Sequence, residues 1–321
     1  MSARYVWRRL LQVLPVVAGI VTVGFVLVHL APGDPVLAIA GQDGDAAYYA
    51  AMRAKFGLDQ PLLTQFATYL GNVIRGDLGT SVAQGRQVTT LIAERLPATL
   101  LLTVTALVVS SISGVIIGVF TARRHQQTAD TAVSAVLLTT YAAPVFWLGQ
   151  LSLIVLALWL DLFPVQGMVS ARSSATGLSR YIDIGWHLVL PVSVLAAKET
   201  AVVARLLRPA LVEQLALPYA RTARAKGLTT RRIVWVHALR RALLPAVSIV
   251  GARVGHLFAG TVIVEIIFGW PGIGRLLLTA IQSRDHPVLL GLFLLIAFSV
   301  IIANLITDFV YTLLDPRITY A

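Results

Sequence analysis

Residues 213–245 read EQLALPYARTARAKGLTTRRIVWVHALRRALLP. With Arg205 and Arg208 just upstream, this run carries nine cationic side chains and lies between two long apolar stretches. Leu206, Leu207, Leu211, Leu215 and Ala216 recur at helical spacing, so the first part is predicted helical. Gly227 after Lys226 is a natural stop, with cationic side chains in the last turn facing the negative helix end. Thr229 or Thr230 caps a second helix through Arg231, Arg232, Val234, Trp235 and Leu239. Pro245 pre-sets the start of the next apolar stretch. A basic helix, a glycine turn and a second basic helix, held at a membrane face, form a docking element for lipid headgroups or for a partner protein.

Composition fixes the class of the surrounding chain. Hydrophobic residues make up 57% of the 321 positions and charged residues only 13%, against roughly 25% charged in ordinary soluble domains. That mixture describes an all-α polytopic membrane protein. No cysteine is present, which excludes disulfides and thiolate metal sites. The net charge of +11 invites a nucleic-acid reading, but the basic residues gather beside apolar stretches. Membrane orientation and a partner surface account for them better.

Leu10 to Ala31 is 22 residues without a formal charge, preceded by Arg4, Arg8 and Arg9. It is too long for the apolar core of a cleaved signal and is predicted to stay as a first span beginning in the cytoplasm. Residues 32–95 form an external region. Ala46 to Phe56 and Pro61 to Arg75 are expected as short amphipathic helices on the outer face, and Gly76 to Ser81 as a turn. Leu96 to Ala122 is uncharged for 27 residues and returns inside, where Arg123 and Arg124 mark a short turn. Thr131 to Leu160 goes out again through a break at Tyr141-Ala-Ala-Pro144-Val-Phe146. Trp186 to Arg208, Leu243 to Ile267 and His286 to Leu314 complete six spans with both termini cytoplasmic. The positive-inside rule agrees, since residues 32–95 balance five basic against six acidic side chains. No internal repeat stands out, and residues 1–321 read as one transmembrane domain: a first helix (1–31), the external region (32–95) and a five-helix core (96–321).

Ionisable residues inside the spans are the candidates for a passage. Lys198 and Glu199 each cost about 2.5–3.5 kcal/mol at mid-membrane, while the apolar residues around them return roughly 3–5 kcal/mol. The span therefore needs protein or water around these two residues. Arg253 and His256 lie three apart on one helical face. All four serve either the pathway or the packing of the bundle, and Pro144 with Phe146 marks either a passage or a packing kink.

At Arg221-Thr222-Ala223-Arg224-Ala225-Lys226-Gly227 the chain resembles the EAA loop of bacterial ABC-importer permeases, in the form used by the dipeptide and oligopeptide branch. Glu213, Tyr219 and Gly227 fall where that branch has them, and His237-Ala238-Leu239-Arg240 is also usual there. Arg241 departs from the branch's common asparagine. The resemblance covers almost the whole chain. It includes Gly33-Asp34-Pro35, Gly57-Leu58-Asp59-Gln60-Pro61, Gly76-Asp77-Leu78-Gly79, Glu265 to Gly274, and Asp308 with Tyr311 and Asp315-Pro316-Arg317. It implies a type I ABC-importer permease architecture in the bacterial cytoplasmic membrane. Residues 213 and 219–227 would be the coupling segment, with Arg221, Arg224 and Lys226 meeting acidic groups of an ATPase. Asp77, Glu265, Trp270, Pro271 and Gly272 would face an external receptor. The implied partners are a second permease, two ATPase subunits holding ATP and Mg, an extracytoplasmic binding protein, and membrane lipid; the implied substrate is a peptide.

What the sequence lacks limits the mechanism. Its three lysines, Lys55, Lys198 and Lys226, precede neither Ser nor Thr, so no Walker A loop exists. No HExxH or GxSxG can be written, and no catalytic or metal residues are assigned. The expected activity is transport without chemistry in this chain. Alternatives are an importer of a nickel chelate or glutathione, a proton-coupled transporter running through the buried ionisable residues, and a membrane scaffold.

Overall fold

A computed structural model describes residues 15, 17–19, 21–26, 29–30, 45–170, 176–244 and 261–314. Among these residues the secondary structure is helical, apart from one isolated antiparallel bridge between Thr80 and Gln87. They divide into two compact units, Leu100–Trp270 with Ile302–Ala321, and Ser2–Thr99 with Pro271–Ile301.

Three described helices are long and apolar enough to cross a membrane: Val88–Arg123, Leu178–Ala216 and His286–Ile306. Thr128–Ala142 and Val145–Trp159 are apolar and long enough only when taken together, and the pair is bent by 104°, as a broken span or a re-entrant loop is. The predicted span Leu10 to Ala31 is described at 12 of its 22 positions, all of them helical, while Leu243 to Ile267 lies largely outside the described residues, and Arg253 and His256 wholly so. Val88–Arg123 starts eight residues before the apolar stretch, because Gln87 and Val88 are held by backbone bonds to the preceding turn. The bend in Thr131 to Leu160 is far sharper than a proline kink. Ala143, forced out of the helical region by Pro144, is extended at ψ 135°, and a new helix begins at Val145. From Leu153 to Trp159 that helix widens into a π-helix.

In the first unit Leu178–Ala216 is the packing axis. Of its most apolar stretch 72% is buried, against 28% for each of the other two long helices. Val88–Arg123 approaches it through Gly114 and Gly118. A Cβ on Gly114 would stand 2.5 Å from Val203 Cβ, and one on Gly118 3.1 Å from Leu207 Cβ. Small residues four apart let membrane helices meet backbone to backbone, where lipid supplies no hydrophobic drive. On another face Leu137, Ala201 and Ala204 join the helix to Thr128–Ala142.

The second unit contains the expected short helices, Ala46–Phe56 and Leu62–Ile74. Ala46–Phe56 is not amphipathic as expected, because its alanines and tyrosines are spread around the axis. Its core is Val88, Leu91, Ile92, Ile273, Leu276, Ala280, Val288 and Leu292. Asp285, 1% exposed, accepts from Ser81 Oγ, Val82 N (3.2 Å) and Ala83 N (3.1 Å), fastening the turn before Val88 to the loop before His286.

Candidate functional site

The basic run at 213–245 is a hairpin of two short helices whose inner faces are apolar. Leu178–Ala216 does not continue to Gly227 as the leucine spacing suggests. Pro218 holds Leu217 extended at ψ 154° and starts a separate helix, Pro218–Ala225. Gly227 ends it at φ +79°, and Leu228 N reaches back to Ala223 O at 3.1 Å, satisfying a carbonyl of the last turn. Thr229 caps the next helix, its hydroxyl accepting from Arg232 N. That helix continues through a π-helical segment, Ile233–Ala238, towards Leu244.

Burial separates the two faces of the hairpin. Ala220 is fully buried and Ala223 half-buried, while Arg221, Thr222, Arg224, Ala225, Lys226 and Gly227 are exposed. Alanine at 220 and 223 lets the short helix lie close to its support, leaving the cations outward. In the second helix Val234, Ala238, Leu239 and Ala242 pack with Val119, Ala122, Leu207 and Leu211. The hairpin is thus seated on the ends of Val88–Arg123 and Leu178–Ala216. Tyr219 donates to Gln214 Oε1 at 3.1 Å and lies under the Arg241 guanidinium, 4.7 Å from its ring. Burial pushes the Tyr219 hydroxyl pKa up, and the Arg241 charge partly offsets this. Arg224 donates to Leu215 O, tying the two helices at the Leu217 corner. Glu213 is exposed one turn before that corner.

The remaining predicted residues are scattered. Lys198 and Glu199 are half-buried on Leu178–Ala216, and Lys198 Nζ lies 5.5 Å from the Tyr141 ring centre. Arg205 approaches the same ring at 5.4 Å. Pro144 caps the helix after the break, and Phe146 and Trp147 there are 55% and 50% exposed. Asp77 is exposed, but its carboxylate accepts from Gly79 N at 2.8 Å and so shapes its own turn. Glu265 and Trp270 are fully buried, Gly272 is buried and Pro271 half-buried. Trp270 N donates to Glu265 O at 2.8 Å around Gly269, at φ +60°, a helix-ending motif that keeps both side chains inside. The backbone around Asp308 is helical.

Sequence reading missed a bidentate ion pair of the first unit. Arg208 donates to Asp130 through Nε (2.7 Å, to Oδ1) and Nη2 (2.6 Å, to Oδ2). The two residues are 78 positions apart and each adjoins a predicted span, so no local spacing could reveal the pair. Gly114 and Gly118 were legible as a Gly-x-x-x-Gly in an apolar run.

A basic hairpin seated on membrane helices is matched by comparison with known families. Residues 114–320 match the family "Binding-protein-dependent transport system inner membrane component". The chain belongs to this family. Residues 2–103 match the corresponding N-terminal family model. The permease is 38% identical to the dipeptide transport system permease protein DppB of Escherichia coli strain K12, over 99% of each chain. It is 35% identical to the oligopeptide transport system permease protein AppB of Bacillus subtilis strain 168, over 99% of this chain and 100% of that one. It is 36% identical to the glutathione transport system permease protein GsiC of Salmonella typhi, over 98% and 99%. In fold it is similar to a chain of the MetNI methionine ABC transporter in inward-facing form, with a TM-score of 0.55 and 18% identity, covering 70% of this chain and 97% of that chain. The permease is a multi-pass inner-membrane component of an ABC importer. Its partners include an ATPase on another chain and a solute-binding protein.

Proposed function

We propose that this permease imports di- and oligopeptides, paired with a second permease and driven by two ATPase subunits that grip residues 213–227. Both termini and the hairpin face the cytoplasm, and residues 32–95 face the binding protein. ATP-driven closure draws the two hairpins together, and the long helices carry that movement to a passage that opens alternately to each side. The observation that carries this reading is the hairpin itself: an outward basic face on Pro218–Ala225, and an inward apolar face fixed to Val88–Arg123 and Leu178–Ala216. Arg221, Arg224 and Lys226 supply charge for acidic groups of the ATPase, Tyr219 and Glu213 flank the corner, and Thr222, Ala223 and Ala225 complete the helix. Dipeptide and oligopeptide relatives support the substrate. Glutathione, itself a short peptide, is the competitor to include.

Gly227 gives the clean test. A Cβ there meets nothing within 4 Å, so a substitution changes the backbone without changing packing. Valine in the left-handed region costs roughly 1–2 kcal/mol, whereas asparagine tolerates it. With the complete importer in proteoliposomes, Gly227→Val should lower dipeptide uptake while ATP hydrolysis continues, and Gly227→Asn should retain both. Wild-type uptake by Gly227→Val would refute the role of the turn. Uptake that collapses with an uncoupler while ATP stays high would refute the energy source.

A further inference from the structure

Asp130 is a 2% exposed carboxylate in the first turn of Thr128–Ala142, held from several sides. Arg208 takes both oxygens, Gln126 N donates to Oδ2 at 3.1 Å, and Ser134 Oγ approaches Oδ1 at 3.5 Å. His125 Nδ1 lies 3.2 Å from Arg208 Nη2 and 3.7 Å from Asp130 Oδ2. A bidentate guanidinium–carboxylate pair fixes the relative angle of its two helices as well as their distance. The other end of Thr128–Ala142 is tied to the same partner helix, because Lys198 and Arg205 flank the Tyr141 ring. Between these ties Leu137 packs on Ala201 and Ala204. Thr128–Ala142 is therefore fastened at both ends and in the middle to Leu178–Ala216. Its last residue directly precedes the 104° break at Ala143 and Pro144.

Arg208 lies eight residues, about 12 Å of helix, before Ala216, where the chain turns into the hairpin. We propose that Asp130 and Arg208 are positioning residues that make Thr128–Ala142 move with the hairpin, so that force on the hairpin is delivered to the break at Ala143–Pro144. This rests on the reading of residues 213–227 as the segment gripped by the ATPase. Neither residue touches solute. Their work is to forbid slip between the driven helix and the helix that ends at the bend, where Phe146 and Trp147 stand exposed.

The chain has no cysteine, so two introduced cysteines are its only labelling sites, and the partner subunits would be used in cysteine-free form. Val136→Cys and Val236→Cys put labels on exposed positions of Thr128–Ala142 and of the hairpin's second helix. The complete importer in nanodiscs would be measured by pulsed electron resonance with and without ATP. Uptake of radiolabelled alanyl-alanine per ATP hydrolysed would be followed in proteoliposomes. The proposal expects one narrow distance that ATP leaves in place. Asp130→Asn should broaden it and lower uptake per ATP by about fivefold or more, the lower end of site-to-site coupling. The charge-swapped Asp130→Arg/Arg208→Asp double variant should recover part of both. A pair that only stabilises the fold lowers the yield of importer and leaves uptake per ATP at the wild-type ratio, which overturns the proposal. So does a wild-type distance that shifts when ATP is added. If Asp130→Asn fails to assemble, Arg208→Lys keeps the charge but loses the fork, and the same two readings decide. A wild-type importer that hydrolyses ATP without taking up the dipeptide counts against the peptide substrate alone, and the distance measurement still decides the clamp.

Discussion

Replacing Gly114 by alanine tests how closely Val88–Arg123 and Leu178–Ala216 approach. The added carbon would lie 2.5 Å from Val203 Cβ, 2.7 Å from Val203 Cγ1 and 3.2 Å from Thr200 O. Ordinary carbon contacts begin near 3.5 Å, so the helices must part by about 1 Å. Rotation about χ1 cannot relieve the clash, because Val203 Cβ is fixed to the backbone. A gap of 0.5–1 Å forfeits roughly a quarter to a half of the dispersion energy of the atoms it separates. Overpacking of this kind costs typically 1–3 kcal/mol, against which alanine returns up to about 1 kcal/mol of helix propensity. The net expectation is a destabilisation of about 1–2 kcal/mol. Gly118→Ala meets Leu207 Cβ at 3.1 Å and should be nearly neutral, and Gly71→Ala, with nothing within 4 Å, should match or exceed wild type. Melting of the detergent-solubilised permease, followed by loss of monodisperse protein, should rank the variants in that order. Adding Val203→Gly to Gly114→Ala should recover stability beyond the sum of the single effects, since the two sites share the clash. A Gly114→Ala variant that melts with wild type would refute the close approach.

Asp285→Asn should lower the melting temperature clearly: it weakens a buried acceptor for Ser81 Oγ, Val82 N and Ala83 N, and each unsatisfied group costs about 1–3 kcal/mol. Protease cutting within residues 77–87 should rise with it, and unchanged cutting would argue against the fastening. Arg86 and Glu94 pair through both guanidinium nitrogens, but their side chains are 47% and 49% exposed. Exposed pairs contribute little, so Glu94→Gln should melt within error of wild type, and a clear drop would show that the pair carries load.

The residues that sequence reading placed well are those whose conformation is decided locally. Gly227 adopts the left-handed turn expected of it, and Thr229 supplies the cap. Pro144 breaks its span, although the angle depends on where the following helix finds room to pack, which no local signal encodes. The corner at Leu217 was misjudged for another reason. Leucine periodicity runs straight through Pro218, and the proline's steric demand on the preceding residue outweighs it. Glu265 and Trp270, candidates for facing an external receptor, have side chains buried by packing within the chain, which their local sequence did not signal. Asp130 and Arg208 belong to the same class: each is an ordinary charge at a span end until the fold brings them together.

These long-range contacts converge on one helix. Leu178–Ala216 meets Val88–Arg123 at Gly114 and Gly118, meets Thr128–Ala142 at Asp130 and Tyr141, and supports the hairpin through Leu207 and Leu211. The contacts differ in kind. At the glycines the backbones are so close that no room is left for a side chain between the helices at Gly114. At Asp130 the forked pair holds angle and register. The hairpin contact is apolar, and small residues at Ala238 and Ala242 let it lie close to its support. A force applied at Pro218–Ala225 therefore passes through this seat to Leu178–Ala216, and from there through Asp130 to Thr128–Ala142. The element left in the path is the Ala143–Pro144 break: Ala143 N donates back to Thr139 O, Trp147 N and Leu148 N donate to Pro144 O, and among the described residues no backbone hydrogen bond joins Thr128–Ala142 directly to Val145–Ser152. This division of contacts predicts that substitutions at Gly114 act on stability, whereas those at Asp130 and Arg208 act on uptake per ATP.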